Sequence, residues 1–132
     1  MRKFRLILTI LAFSVLFAGA SYSYTMTEKV VVANQLIAVI RAAADDFSPS
    51  ERTERINERF AEIVATEELT EDNIYLSTIN NCKVIMVGSK VFLTVTEADA
   101  KLNNTTVDDL AVQWLANCRA ILPQARPKPE ME

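Results

Sequence analysis

Hydrophobic residues in the second half of the chain first fall in short runs and then recur at helical spacing. The runs Ile74–Ile79, Cys82–Val87 and Val91–Val95 are rich in β-branched and aromatic residues, which favour strands. Gly88-Ser89 marks a tight connection between the second and third runs. This pattern predicts an antiparallel β-meander over residues 74–95.

An amphipathic helix is predicted after the meander. Thr96, with Asp99 three residues later, has the spacing of a capping box and starts a short helix. Thr105 or Thr106 caps a longer helix, which Pro123 ends. Apolar residues recur in the longer helix at intervals of three and four, at Val107, Leu110, Ala111, Trp114, Leu115, Cys118, Ile121 and Leu122.

The first half of the chain predicts a hairpin followed by a helix. Val30–Val32 and Leu36–Ile40 are β-branched runs separated by a turn at Asn34-Gln35, although a single helix over 30–44 is a competing interpretation. Ser48-Pro49-Ser50-Glu51 places Ser at the N-cap, Pro at the first helical position and Glu at the third. We therefore expect a helix from Pro49 with an apolar face that packs on the strands.

These elements predict an α+β fold, in which an antiparallel meander of about five strands carries two main helices on one face. We expect one folded domain over residues 30–123. Its predicted core comprises Ile56, Phe60, Ile63, Ile79, Val84, Met86, Phe92, Val95, Leu110, Trp114 and Leu115.

The N-terminus has the three parts of a secretory signal peptide. A basic segment with Arg2, Lys3 and Arg5 precedes an apolar run, and Ala18-Gly19-Ala20 matches a small-residue cleavage site. We expect residues 1–20 to be removed, residues 21–29 to form a mobile leader, and the proline-rich residues 124–132 to be a disordered tail. The expected location is the periplasm or the exterior, with no membrane span left after cleavage.

Charge and composition argue against several functions. Without residues 1–20 the chain keeps 11 Lys and Arg against 17 Asp and Glu, a net charge of −6, which disfavours nucleic acid as a partner. The chain has no histidine and only two glycines, so His-based catalysis and a glycine-rich phosphate loop are excluded. The acidic segment 67–72 lacks the spacing of a calcium loop. We expect no enzymatic activity, no metal and no cofactor.

Cys82 and Cys118 are the only cysteines. In an exported protein two cysteines favour one disulfide, which would join the middle strand of the meander to the last helix. Two buried free thiols and a metal pair are the alternatives.

Two groups of side chains are candidates for a binding surface. Arg52, Arg55 and Arg59 lie on one side of the first helix and could bind an anion. The glutamates interleaved with them favour instead a solvent face held by ion pairs between Glu51 and Arg55, Arg55 and Glu58, and Arg59 and Glu62. The second group, Tyr75, Phe92 and Trp114, could line a ligand groove between helix and sheet, although Trp114 lies on the apolar stripe and fits the core.

Four segments together resemble a known family. They are Asn34-Gln35-Leu36-Ile37, Ser48-Pro49-Ser50-Glu51-Arg52, Val91 to Ala100 (VFLTVTEADA), and Leu110-Ala111. Their order is similar to that of the extracytoplasmic N-terminal domain that precedes the membrane helices in some bacterial channels of the small-conductance mechanosensitive family. Asn34 stands where that family has a turn glycine, and Thr53 where alanine usually follows Glu-Arg. The channel portion itself is absent, so the resemblance implies a free-standing envelope sensing or assembly domain without catalytic residues.

The sequence therefore predicts a non-enzymatic envelope protein that binds or regulates another envelope protein. Two alternatives remain open. One is a module that binds a small ligand or a cell-wall polymer, and the other is a small secreted enzyme inhibitor.

Overall fold

The computed structural model describes residues 27–125, which form five β-strands and three α-helices. In chain order these are β1 (Glu28–Val32), β2 (Gln35–Ile40), α1 (Pro49–Thr66), β3 (Ile74–Ile79), β4 (Cys82–Val87), β5 (Lys90–Val95), α2 (Glu97–Leu102) and α3 (Val107–Ile121). Short 3-10 turns precede β3 and follow α3. The predicted α+β class is confirmed. The predicted signal peptide, and most of the predicted leader and tail, lie outside the described residues.

The five strands form two antiparallel sheets rather than the single meander that we expected. One sheet is the β1–β2 hairpin, and the other has the order β3-β4-β5. Helix α3 packs against β2 and against all three strands of the second sheet, while α1 packs against β1, β2 and β5. The sheets therefore share one core through the helices instead of through strand pairing.

A β-bulge in each sheet explains where the alternation of buried and exposed residues fails. Val30 pairs with Ala38 and Val31 with Leu36, which leaves Ile37 as the extra residue of β2. The carbonyl of Ile37 instead accepts a hydrogen bond of 2.9 Å from the Asn117 side chain of α3. In β5 the extra residue is Phe92. Each bulge places two consecutive residues in the core, which strict alternation does not predict.

The strand turns use left-handed backbone at residues other than glycine. Ala33 and Asn34 have φ of 51° and 61°, and Asn80 and Asn81 have φ of 51° and 62°. Two consecutive positive φ angles are the mark of a type I′ turn, whose twist matches that of paired strands. The first turn is one residue earlier than the predicted Asn34-Gln35, and the competing helix over 30–44 is not formed.

The predicted helix starts are confirmed. At α1 the Ser48 hydroxyl accepts from the Glu51 N–H, and the Glu51 carboxylate accepts from the Ser48 N–H. Thr96 and Asp99 form the same reciprocal pair at α2. These caps satisfy backbone N–H groups that the first helical turn leaves free.

The core is one cluster drawn from both sheets, α1 and α3. Phe92 and Ile63 are fully buried, and Phe60 is half-buried with its ring centroid 5.6 Å from that of Phe92. Ile79, which we expected in the core, is 42% exposed because it ends β3 beside the Asn80-Asn81 turn. Met86 is half-buried.

The Ala33–Asn34 turn yields a stability prediction. Alanine is disfavoured at positive φ, whereas asparagine tolerates it and already holds the equivalent place in the second hairpin. We expect Ala33→Asn to raise the free energy of unfolding by about 0.5–1 kcal/mol, measured by urea denaturation. Ala43→Asn is the control at an exposed alanine without positive φ and should change the free energy by less than about 0.5 kcal/mol. A less stable Ala33→Asn variant would contradict the assigned turn.

Candidate functional site: an arginine pocket beside the first helix

The loop after β2, the first half of α1 and the end of β5 enclose a small pocket, here named the arginine pocket. Its volume is about 80 Å³. It is lined by Ala44, Asp45, Phe47, Arg52, Arg55, Ile56, Arg59 and Thr94. All three arginines of the predicted anion-binding stripe thus meet at one cavity.

Helix α1 places its three arginines on one side. Arg52, Arg55 and Arg59 are spaced by three and four residues, so they lie on one side of a helix with 3.6 residues per turn. Glu54 and Glu58 line a different, wider depression on the helix. The positive side chains are therefore concentrated at the arginine pocket.

Arg52 uses its guanidinium group for contacts within the protein. Its guanidinium donates to both oxygens of Asp99, at 2.8 and 2.9 Å, and to the carbonyl of Ala42 at 2.7 Å. A fourth, longer contact of 3.5 Å reaches the carbonyl of Thr94. Arg52 is 5% exposed and Asp99 is fully buried. Paired and hydrogen-bonded in this way, the two charges can remain inside the protein.

Arg55 and Arg59 have no such partner. Within residues 27–125, neither side chain forms an ion pair or donates a hydrogen bond. The guanidinium carbon of Arg55 lies 4.1 Å from the centroid of the Phe47 ring, a cation–π contact that supplies no hydrogen-bond acceptor. Two permanently charged donors are thus available at the pocket.

The expected ion pairs on α1 do not form, because their glutamates have other partners. Glu51 accepts from the backbone of Ser48 in the capping box, and Glu62 pairs with Lys90 at 2.6 Å. Glu58 lines a different depression, beside Glu54, and forms no ion pair among the described residues. Arg55 is exposed as a solvent face requires, but the ion pairs predicted for Arg55 and Arg59 are not formed among the described residues.

The pocket has uncompensated positive charge. Burial lowers the pKa of Arg59, and the nearby positive charges of Arg55 and Arg52 lower it further. A neighbouring carboxylate would have the opposite effect on the pKa. An anion bound here would therefore be stabilised by the charges that now repel one another.

A tight turn forms one wall of the pocket. Ala44 and Phe47 exchange two backbone hydrogen bonds around Asp45 and Asp46, whose φ angles are 49° and 65°. Like the two strand turns it has two successive positive φ angles, a conformation that aspartate tolerates. The turn holds Phe47 against Arg55 and places Asp45 at the pocket.

The predicted aromatic groove is not formed. Phe92 is fully buried and Trp114 is 3% exposed, so both belong to the core. Tyr75 is 38% exposed on β3 and its hydroxyl donates to the carbonyl of Gly88 at 2.7 Å. Tyr75 is separated from the two core residues because adjacent residues of a strand face opposite sides of the sheet, and its neighbour Ile74 is the buried one.

The two cysteines are free thiols and do not form the expected disulfide in this structure. Arg119, next to Cys118, donates to the carbonyl of Ile74, which pairs with Val87 at one end of β4. Cys82 begins β4 five residues away, at roughly 3.3 Å per residue about 17 Å along the strand. A disulfide requires Cα atoms within about 7 Å of each other.

Comparison with known proteins identifies the family. A family model described as "Domain of unknown function (DUF8459)" matches residues 29–125, which is most of the chain. The chain belongs to this family. No curated protein and no solved structure matches it.

The DUF8459 match covers the described residues almost completely. Among them, no helix combines the length and the apolar character needed to cross a bilayer. Residues 27–125 also contain no group of three or more acidic or cysteine side chains placed to hold a metal ion. In the acidic segment 67–72, the carboxylate of Glu67 accepts a hydrogen bond of 2.7 Å from Ser89.

Sequence reasoning missed two residues of the site. Asp99 was recognised as a helix cap, but its second role as the partner of Arg52 depends on a contact across 47 residues. Phe47 lies in a loop and carries no sequence signal that marks it as a site residue. Helical spacing of about 100° per residue separates Glu54 from the three arginines but leaves Glu58 only about 60° from Arg55, so the spacing alone does not predict that Arg55 stays unpaired.

The buried ion pair predicts a large cost of removal. Asp99→Asn leaves Arg52 buried without a countercharge, and we expect a loss of about 3–5 kcal/mol in the free energy of unfolding, measured by urea denaturation. Asp108→Asn is the control, because its contact with Lys83 is 3.7 Å long and exposed, and should cost less than about 1 kcal/mol. Similar losses in the two variants would show that the pair does not support the fold.

The free thiols predict selective alkylation. Burial raises the pKa of Cys118 to about 12 and also raises that of Cys82 above its ordinary value, so the reactive thiolate is scarce at both. Cys118 is fully buried and Cys82 half-buried. We expect iodoacetamide at about pH 8.5 to modify Cys82 slowly and Cys118 only after unfolding. Mass spectrometry that finds neither cysteine modified, even in denaturant without reductant, would support a disulfide instead.

The Cys118 thiol also predicts how stability changes with pH. The native thiol stays protonated to about pH 12, whereas in the unfolded chain the thiol loses its proton near the ordinary pKa of 9.0. The native state then binds more protons, so this contribution to stability is complete below pH 9 and falls as the pH rises toward 12. Cys118→Ala should show a smaller loss of stability than the original chain between pH 8 and 10.5, measured by denaturant titration. An identical loss in both would contradict the assigned burial.

Proposed function

We propose that this protein is a non-enzymatic binding module that attaches to another protein of the cell envelope by holding an anionic group of that partner in the arginine pocket. The observation that supports it is the pair Arg55 and Arg59, two guanidinium groups at one cavity without a carboxylate partner in the described chain. Guanidinium groups recognise anions through charge and through several directed N–H donors.

The chemistry of the pocket favours binding over catalysis. Arginine stays charged at every physiological pH, so it donates hydrogen bonds well but is a poor acid or base. The chain has no histidine to complete a nucleophile–base pair. A pocket whose available groups are two arginines is suited to recognising an anion.

The scaffold supports recognition because it positions Arg52 and the turn that carries Phe47 before binding. Arg52 and Asp99 join α1 to the start of α2, and the 44–47 turn holds Phe47 beneath Arg55. Side chains that are already positioned lose less conformational freedom when a partner binds.

The proposed location rests on the N-terminal segment. Its basic, apolar and small-residue parts favour export, and the net charge of −6 without residues 1–20 disfavours nucleic acid and anionic lipid as partners. The likeness to a domain of mechanosensitive channels favours a membrane protein as the partner.

The alternative of a ligand groove lined by Tyr75, Phe92 and Trp114 has no support, since two of these residues are in the core.

A comparison of matched charge variants tests this function. The tagged protein would be crosslinked in its own cell envelope and captured, and its partners would be identified by mass spectrometry. The Arg55→Gln/Arg59→Gln variant removes both free arginines. We expect it to recover at least about tenfold less partner, because each lost charge-assisted contact weakens binding.

The control is Lys29→Gln/Lys101→Gln, which removes the same charge at two exposed positions outside the pocket. It should capture the partner as the original chain does, and thermal unfolding should show that both variants are folded. A partner that both variants lose would indicate charge attraction without a specific site. A partner that both retain would place the contact elsewhere and overturn the proposal.

A further inference from the structure

Resting on the proposed function, we infer that the group held in the arginine pocket is a single carboxylate of a polypeptide partner and not a phosphate or sulfate group. Three features of the pocket lead to this ligand: its net charge, its size, and the side chains that face it.

The charges around the pocket sum to one positive unit. Arg52, Arg55 and Arg59 contribute three positive charges. Asp45 on the wall and Asp99, bound to Arg52, contribute two negative charges. One carboxylate would neutralise the site, whereas a dianion would leave an excess of negative charge beside Asp45. Arg55 and Asp45 are exposed and Arg59 is half-buried, so the balance favours a monoanion through Coulomb attraction rather than through a cost of burial.

The volume admits only the end of a larger molecule. The cavity of about 80 Å³ is far smaller than the pockets of roughly 300–1,000 Å³ that enclose a whole small molecule. A carboxylate with one or two carbon atoms fits this space, but a sugar or a nucleotide does not. The ligand is therefore an end group, such as an acidic side chain or a chain terminus, whose remaining bulk stays outside.

The walls favour a flat group with an apolar stem. Ile56 is 4% exposed at the base of the pocket, and the Phe47 ring contacts Arg55. These side chains offer apolar contact to a methylene group next to a carboxylate. The planar guanidinium of Arg59 can meet both carboxylate oxygens with two parallel N–H donors. A tetrahedral sulfate has no methylene stem and gains nothing from the apolar side.

Solution NMR of the ¹⁵N-labelled protein would test this assignment through the Nε–H signals of Arg55 and Arg59 and the amide signal of Phe47. Five probes would be titrated at pH 7 and constant ionic strength. They are sodium acetate, sodium sulfate, and three N-acetylated glycine-rich pentapeptides. Two of the peptides are C-terminally amidated and carry a central glutamate or a central glutamine, and the third has a free C-terminal carboxylate.

We expect acetate and at least one carboxylate peptide to produce saturable shifts, with sulfate and the glutamine peptide producing none. Comparison of the two carboxylate peptides distinguishes a side-chain source from a terminal one. Arg59→Gln should weaken the binding at least tenfold, while Lys29→Gln/Lys101→Gln should leave it unchanged. Ile56 and Phe47 remain in place in both variants, so loss of binding would not reflect loss of the cavity walls.

The contrary results separate the two proposals. Tighter binding of sulfate than of acetate would overturn the carboxylate assignment and leave an anion-binding module. Equal shifts with the glutamine and glutamate peptides would show that charge is not recognised. In a third outcome, no anion saturates the pocket, but partner capture in the envelope experiment still depends on Arg55 and Arg59. This outcome would overturn the assignment of a carboxylate ligand and leave the proposed binding function in place.

Discussion

The ion pair between Arg52 and Asp99 is the interaction on which the arrangement of this domain depends. It joins residues 47 positions apart, at the start of α1 and in the first turn of α2, and the same guanidinium also bonds the loop after β2. A buried ion pair adds little stability over an apolar pair, but the loss of one partner is costly. Its value here is positional, because it fixes the loop and the helices that surround the arginine pocket.

Asp99 serves two purposes at once. One of its oxygens accepts the Thr96 N–H that begins α2, and both accept from Arg52. The carboxylate therefore has few unused acceptor sites, which lets a charge lie fully buried. A cap that is also an ion-pair partner couples the orientation of α2 to that of α1. The two sheets do not pair with each other, and helices that contact both of them hold them together.

Residue patterns within a few positions of each other predicted the helices and strands well. They did not predict contacts between residues that are far apart in the sequence. Ser48 and Thr96 identified helix starts because a cap depends on residues only three positions apart. The division into two sheets depends on α3, whose Asn117 bonds the bulge at Ile37 across 80 residues. The bulge at Phe92 likewise breaks the alternation that a period of two assumes. Of the site, the three arginines were found from their spacing, but their partners were not, since the glutamates that should have paired with them are held by Ser48 and Lys90.

The fold also sets the chemistry of the pocket. Three arginines in one cavity would carry three positive charges and would attract a strongly charged anion. Because Asp99 binds Arg52 and Asp45 lies on the wall, only one unit of charge remains for a ligand. The aspartate that holds the helices together thereby also lowers the charge of the site. Under the proposed anion binding, stability and the choice of ligand are joined in Asp99, and a change at position 99 that preserves folding is expected to alter which anion the pocket prefers.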